Sequence, residues 1–190
     1  MKLYVDAGHT PDRPGTLAHT GMTEHFYNVN FQSKIVRAYR TLGKFASINP
    51  VQGSTVVMDG DKGLSDVIRT INETSKRGDY CLSIHFNPDW QGATGTEVFV
   101  HPATTQRNKN IATYIVNRGS KIMGIPVRMT TSRRDYKYPS ESFLGSLAII
   151  ERVKIPVILW EVCFLNENDL WRFTAREFTL AHMVVDAYNR

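Results

Sequence analysis

The sequence is short of the features that mark several large classes of protein. Its 190 residues include two cysteines, Cys81 and Cys163. Both lie in apolar, strand-like runs, YCLSIHF and WEVCF, and read as small buried hydrophobes rather than a bridge or a metal pair. A chain of this length buries enough core to need no disulfide staples. No apolar stretch is long enough to cross a bilayer, so no membrane insertion is expected. The opening MKLYVDAGHT is interrupted by Asp6 and Gly8 before an apolar region can form, which argues against an ordinary secretory signal peptide. Synthesis in a cytoplasm is the expectation, with any work outside needing another way out. No internal repeat, low-complexity tract or linker divides the chain, and one domain over residues 1–190 is expected. A formal net charge of +5 suggests an anionic partner. The basic residues are scattered, however, and the densest cluster (Arg133, Arg134, Lys137) is too short for a nucleic-acid groove, so no nucleic acid is expected.

What is present is a regular alternation. Short runs rich in valine, isoleucine and aromatics predict strands at Leu3–Ala7, Thr55–Met58, Tyr80–Phe86, Thr96–His101, Val127–Thr131 and Pro156–Val162. Amphipathic stretches between them predict helices at Thr23–Leu42, Leu64–Arg77, Thr105–Met123, Glu141–Arg152 and Asn168–Asn189. Strands separated by helices imply an α/β fold: a central twisted sheet, mostly parallel or mixed, of about six strands, with helices on both faces.

Four polar residues sit against this apolar framework: His9, Glu24, His85 and Glu161. Glu24 extends the apolar stripe Tyr27, Phe31, Ile35, Ala38 and Leu42 back by one helical turn. His9, His85 and Glu161 fall at or just past the ends of predicted strands, where sites of open α/β sheets gather. Unpaired charge against a core is costly, and a shared divalent cation is the simplest common partner. Two imidazoles and a carboxylate make a catalytic zinc set with a fourth position open for water. Zinc can bring the pKa of such a water to ~7. A nearby carboxylate must then carry the water's proton to a leaving group. Glu161, inside the apolar run VILWEVCF, is the candidate, and desolvation there predicts a raised pKa.

In order along the chain stand Asp6-Ala7-Gly8-His9-Thr10, then Gly21 and Glu24, then Ser83-Ile84-His85-Phe86-Asn87. Gly95-Thr96-Glu97-Val98 follows, and last the run from Pro156 through Glu161 to Leu165. This series resembles the zinc-dependent N-acetylmuramoyl-L-alanine amidases of the amidase-3 type, over Asp6 to about Asp169. Arg69 and Asp79 also fall at that family's usual offsets. The resemblance implies zinc held by His9, Glu24 and His85, with Glu161 catalytic. It implies cleavage of the amide between N-acetylmuramic acid and L-alanine in peptidoglycan. With no signal peptide, a phage or prophage lysis enzyme is expected: an endolysin-like monomer that reaches the wall once the membrane is breached. The sequence departs from the family at Ala7 (usually proline), Thr10 (glycine), Thr74 (asparagine), Phe86 (alanine) and Cys163 (glycine). The pattern over Met129–Ser142 is poorly matched, and Arg133, Arg134, Tyr136, Lys137 and Tyr138 are expected to form a substrate-facing loop.

Blander roles compete with each assignment. Glu24 suits a first helical turn on dipole grounds alone. His19, His25, His101 and His182 are rival ligands. Arg69 and Asp79 fit a structural ion pair supporting the His85 strand. Trp90, Trp160 and Trp171 fit core or rim packing, and Trp90, in a polar loop just after Asn87, also fits a wall contact. Two other functions use the same residues: a carboxypeptidase-like or deacylase metallohydrolase, and a non-catalytic wall-binding module. Intact His9, Glu24, His85 and Glu161 argue against the second.

Overall fold

The computed structural model describes residues 1–42, 56–58, 63–89, 92–128 and 147–190. The elements run β1 (Leu3–Ala7), α1 (Glu24–Leu42), β2 (Val56–Met58), α2 (Leu64–Thr74), β3 (Tyr80–Asn87) and β4 (Glu97–Val100). They continue with α3 (Gln106–Met123), α4 (Ala148–Arg152), β5 (Val157–Phe164), α5 (Glu167–Thr174) and α6 (Glu177–Asn189). One sheet has the order β2-β1-β3-β5-β4, with β4 antiparallel to β5 and the other pairs parallel.

The central strands read as near-continuous apolar runs because both of their faces are covered. Leu3, Val5, Leu82, Ile84, Ile158 and Trp160 pack in one cluster with residues of α1, α3, α5 and α6. Tyr4, Cys81, Phe99, Val157 and Leu159 pack on the other side with α2 and α4. The stripe of α1 is buried as its spacing predicts, through Tyr27, Phe31, Ile35 and Ala38. Phe31 meets Trp160 and Phe173 edge-on, with ring centroids 5.8 and 5.1 Å apart. The fold is the expected α/β sheet between helices.

Several boundaries differ from the sequence reading. The described sheet has five strands rather than about six. Of the expected strand Val127–Thr131, Val127 makes only an isolated bridge to Thr96, and Met129 onward lies outside the described residues. The expected helix from Glu141 is described only as Ala148–Arg152. Arg133, Arg134, Tyr136, Lys137, Tyr138 and Trp90 also lie outside the described residues. The expected helix Asn168–Asn189 is two helices, broken at Ala175 and Arg176, where the Ala175 and Arg176 amides bond back to Trp171 and Phe173. No glycine or proline marks that break. It lets Phe173 and Leu180 both point into the core. Arg69 and Asp79 are not paired: Arg69 binds Asp66 at 2.6 Å, and Asp79 accepts from the amides of Lys2 and Lys76. Trp171 packs in neither core nor rim, being 65% exposed, whereas Trp160 is fully buried. Both cysteines are free and buried.

One buried carboxylate fixes the approach to β4. Asp169 accepts from Thr94 Oγ1 at 2.6 Å and from the Gly95 and Phe164 amides at 2.9 and 3.3 Å. Removing it strands buried donors, each costing ~1–3 kcal/mol. Asp169→Ala is therefore expected to lower stability by about 3 kcal/mol or more, a fall in Tm of at least ~6 °C for a chain of this size. Calorimetry showing less than ~2 °C would remove the clamp.

Candidate active site

The face of the sheet covered by α2 and α4 changes character along the strands. Toward one end it is Tyr4, Cys81, Val157 and Phe99. Toward the carboxyl ends of β1, β3 and β5 it becomes Asp6, Ser83, His85 and Glu161. Register decides which of these meet: Asp6 lies opposite Ser83, His85 opposite Glu161, and Glu161 opposite Glu97. Neighbouring strands lie ~4.8 Å apart, so the side chains of each pair come within reach of one another. The chain enters through β1, turns to β2 on one side and crosses to β3 on the other, so the crevice beyond β1 and β3 is a topological switch point. His9 and His85 stand on its two sides.

Glu24 opens α1, and its carboxylate reaches down between the two imidazoles. Its Oε2 lies 3.0 Å from His9 Nε2, and its Oε1 lies 3.1 Å from His85 Nδ1. The Phe86 amide donates to the same Oε1 at 3.1 Å. The imidazole rings are 5.1 Å apart, edge to face. One ligand atom from each of His9, Glu24 and His85 falls within 4.8 Å of the others, a grouping able to hold a metal ion. Tetrahedral zinc with ~2.0–2.1 Å bonds sets its ligand atoms ~3.3 Å apart, close to the two contacts Glu24 makes. The donor set thus fits such a cation in both chemistry and spacing.

The electrostatics follow from these contacts. Burial pushes the Glu24 carboxyl up, but its bonds to His85 and His9 and their charges prevail, and it titrates at about 2. Burial opposes charge on His85, but the bond to Glu24 and the nearby Glu161, Glu24 and Asp6 carboxylates outweigh it, raising that ring to about 9. Burial raises the Asp6 carboxyl, against the Ser83 hydroxyl that donates to it at 2.6 Å.

His9 follows β1 at φ 68°, the one non-glycine residue with positive φ among the described residues. Such a conformation persists only where its surroundings hold it. Here α1 supplies the hold: Asn28 Nδ2 donates to the Gly8 carbonyl at 2.8 Å, and Gln32 Nε2 to the Val5 carbonyl at 2.7 Å. Gly8 must be glycine for a separate reason, because a Cβ there would fall on the His85 ring.

The rival histidines are elsewhere or otherwise engaged. His25 has its Nδ1 3.4 Å from the Gly8 carbonyl. His19 and His182 are exposed, and His101, also exposed, takes the Ala103 amide at 3.1 Å. A cavity of about 540 Å³ adjoins His9 and His85, between Asp6, Arg13, the start of α2 at Leu64, and α4 at Ile149.

A family model described as N-acetylmuramoyl-L-alanine amidase matches residues 3–187. The chain belongs to the N-acetylmuramoyl-L-alanine amidases. It is an enzyme that hydrolyses the amide joining N-acetylmuramic acid to L-alanine in peptidoglycan. Solved structures agree on the fold of this amidase. An N-acetylmuramoyl-L-alanine amidase from Clostridium difficile 630 is 22% identical with a TM-score of 0.73, covering 98% of this chain and 93% of that one. The catalytic domain of the CD27L endolysin targeting Clostridia difficile is 18% identical with a TM-score of 0.71, covering 100% and 97%. The apo Ami1 amidase of Mycobacterium abscessus is 17% identical with a TM-score of 0.73, covering 99% and 98%. No curated protein matches the amidase in sequence.

Sequence reasoning gave no role to Asp6, Asn28, Ser83 or Glu97. Two of them carried a usable signal. Asn28 is one helical turn after Glu24 on the buried stripe. Glu97 is two residues before Phe99, and therefore on the same face of β4. Their polarity at buried positions was the clue, but the register that brings Glu97 beside Glu161 is a property of the sheet alone.

Proposed function

We propose that this amidase is a zinc enzyme, with His9, Glu24 and His85 holding the metal and Glu161 moving the proton. The observation that carries this reading is the Glu24 carboxylate lodged between two imidazoles, at 3.0 and 3.1 Å. Bound zinc would supply a water of lowered pKa and a Lewis acid for the substrate carbonyl. The chain's own groups do the rest. Glu24 stays ionised under physiological conditions, because its bonds hold its pKa at about 2. The Phe86 amide fixes one of its oxygens. Glu161 faces the same crevice from the next strand, half-buried and opposite His85. From there its carboxylate takes a proton from the attacking water and returns it to the nitrogen of L-alanine, which leaves as a neutral amine. The cavity beside His9 and His85 has room for the muramoyl side of the bond.

The same reading extends to biology. The chain acts as a single catalytic domain and a monomer, in phage or prophage lysis, made in the host cytoplasm and meeting the wall after the membrane is breached. Its net charge of +5 favours approach to anionic wall polymers, and its fold is shared with an endolysin catalytic domain. No described helix is long and apolar enough to cross a membrane.

Digestion of purified peptidoglycan tests the bond. New amino termini of L-alanine should appear in step with loss of turbidity, without new reducing sugar ends. Release of free terminal amino acids would instead identify a carboxypeptidase and overturn the reading.

A further inference from the structure

Beyond Glu161, on the side away from the cavity, the row of site residues continues. Glu97 of β4 lies opposite Glu161 and is buried, its carboxylate accepting from Asn87 Nδ2 at 2.9 Å. Next to it comes Arg128, whose Nε is 3.9 Å from Glu97 Oε1. The contact is one of charge and is too long for a hydrogen bond.

Arg128 is held in place by several independent contacts. Its amide bonds the Thr96 carbonyl at 2.9 Å. Its guanidinium lies over the Phe164 ring, 4.7 Å from the centroid. Its stem passes Gly95 so closely that a Cβ there would come within 2.9 Å of Arg128 Cγ; Gly95 has φ +120° besides. A long, mobile side chain has thereby lost most of its rotamer freedom before anything binds. Yet its side chain is 36% exposed, against 6% for Glu97. Among the described residues the guanidinium donates no hydrogen bond at all. A preorganised planar fork with its donors unspent is suited to a carboxylate.

Where that carboxylate belongs on the substrate follows from the order across the sheet, and so rests on the function proposed above. His9 and His85 lie on the acyl side and Glu161 at the scissile nitrogen. Strands are ~4.8 Å apart, so Glu97 falls one step further along, under the departing peptide, and Arg128, rooted beyond β4, reaches back to it with its Nε 3.9 Å from Glu97 Oε1. Successive residues of that peptide are ~3.8 Å apart, so the residue after L-alanine comes abreast of Glu97, within reach of the Arg128 guanidinium beside it. In peptidoglycan that residue is acidic, and its α-carboxyl is either free or amidated. We propose that Arg128 reads a free carboxylate on the second stem residue, with Glu97 and Phe164 as its positioning groups. This makes the amidase selective for peptidoglycan in which that carboxyl is not amidated. Glu97 limits the strength of the interaction by offsetting part of the charge, and it keeps the guanidinium turned along the site.

The test uses two ligands differing only at this group, muramoyl-L-alanyl-D-isoglutamate and its α-amide. Zinc-loaded wild type should cleave the acid with kcat/KM at least tenfold higher, the difference lying in KM. In zinc-loaded Glu161→Gln, calorimetry should show the same preference as a ratio of Kd values. Adding Arg128→Gln should bring both ratios to about one, while Arg128→Lys should restore part of the preference. A purely structural Arg128 would lower activity on both ligands equally and leave the ratio unchanged, which overturns the proposal. So would equal handling of both ligands by wild type. If wild type cleaves neither ligand but binds the acid more tightly through Arg128, it is the amidase chemistry that fails and the recognition that stands.

Discussion

Glu161→Gln is expected to lower kcat by ~100-fold or more while leaving metal content and melting temperature within error of the parent. The basis is positional. Glu161 is the only carboxylate of β5, in register with His85 on one side and Glu97 on the other. Glutamine keeps the shape and one acceptor oxygen but cannot take a proton from water or deliver one to an amine. General acid–base assistance contributes typically ~10²–10⁴-fold. KM should change little, because the carboxylate acts on atoms that move in the transition state rather than on parts of the substrate that merely bind. A steady-state assay on soluble muropeptide, with metal quantified on the same sample, decides the matter. Turnover within threefold of the parent would remove Glu161 from the mechanism, and Glu97, its neighbour in the row, would then be the carboxylate to examine.

Stripping the metal should abolish turnover outright, and its return should depend steeply on pH in a direction the structure fixes. Without a cation His85 titrates at about 9, so at pH 7 it carries a proton that a metal must displace. Glu24, at about 2, is already ionised. Each unit of pH below 9 should therefore weaken metal binding by at least ~10-fold, and calorimetry in buffers of different ionisation enthalpy should find protons released at pH 7. The metal-free protein behaves in the opposite sense. The raised His85 pKa contributes stability that is fully present below 6.5, its unperturbed value, and is lost as the pH climbs through about 9. The lowered Glu24 pKa contributes stability that is present above 4.5 and lost as the pH falls through about 2. The apo form should thus gain most from this pair between 4.5 and 6.5. The melting-point increment given by added zinc should instead grow from pH 6 to 8. An increment that shrinks over that range, or activity that survives exhaustive chelation, would contradict the proposed ligand set.

The class of fold and the chemical type of the site are legible along the chain. The apolar runs around Val5, Leu82 and Leu159 are buried on both faces, so their hydrophobicity alone marks them as central strands. The stripe of α1 carried Glu24 inward, and the short motifs around His9 and His85 named its partners. The division of the last helix was not legible, because neither Ala175 nor Arg176 forbids a helix; the break is imposed by the need to bury Phe173 and Leu180 together. An Arg69–Asp79 pair was plausible by spacing, but each found a nearer partner once α2 was wound. That Glu97 stands beside Glu161, with Arg128 just beyond, follows from the assembled sheet alone. Strand order and antiparallel register are long-range facts: the paired residues of β4 and β5 are 58 to 64 positions apart in the chain, and local pattern carries no record of which strand lies beside which.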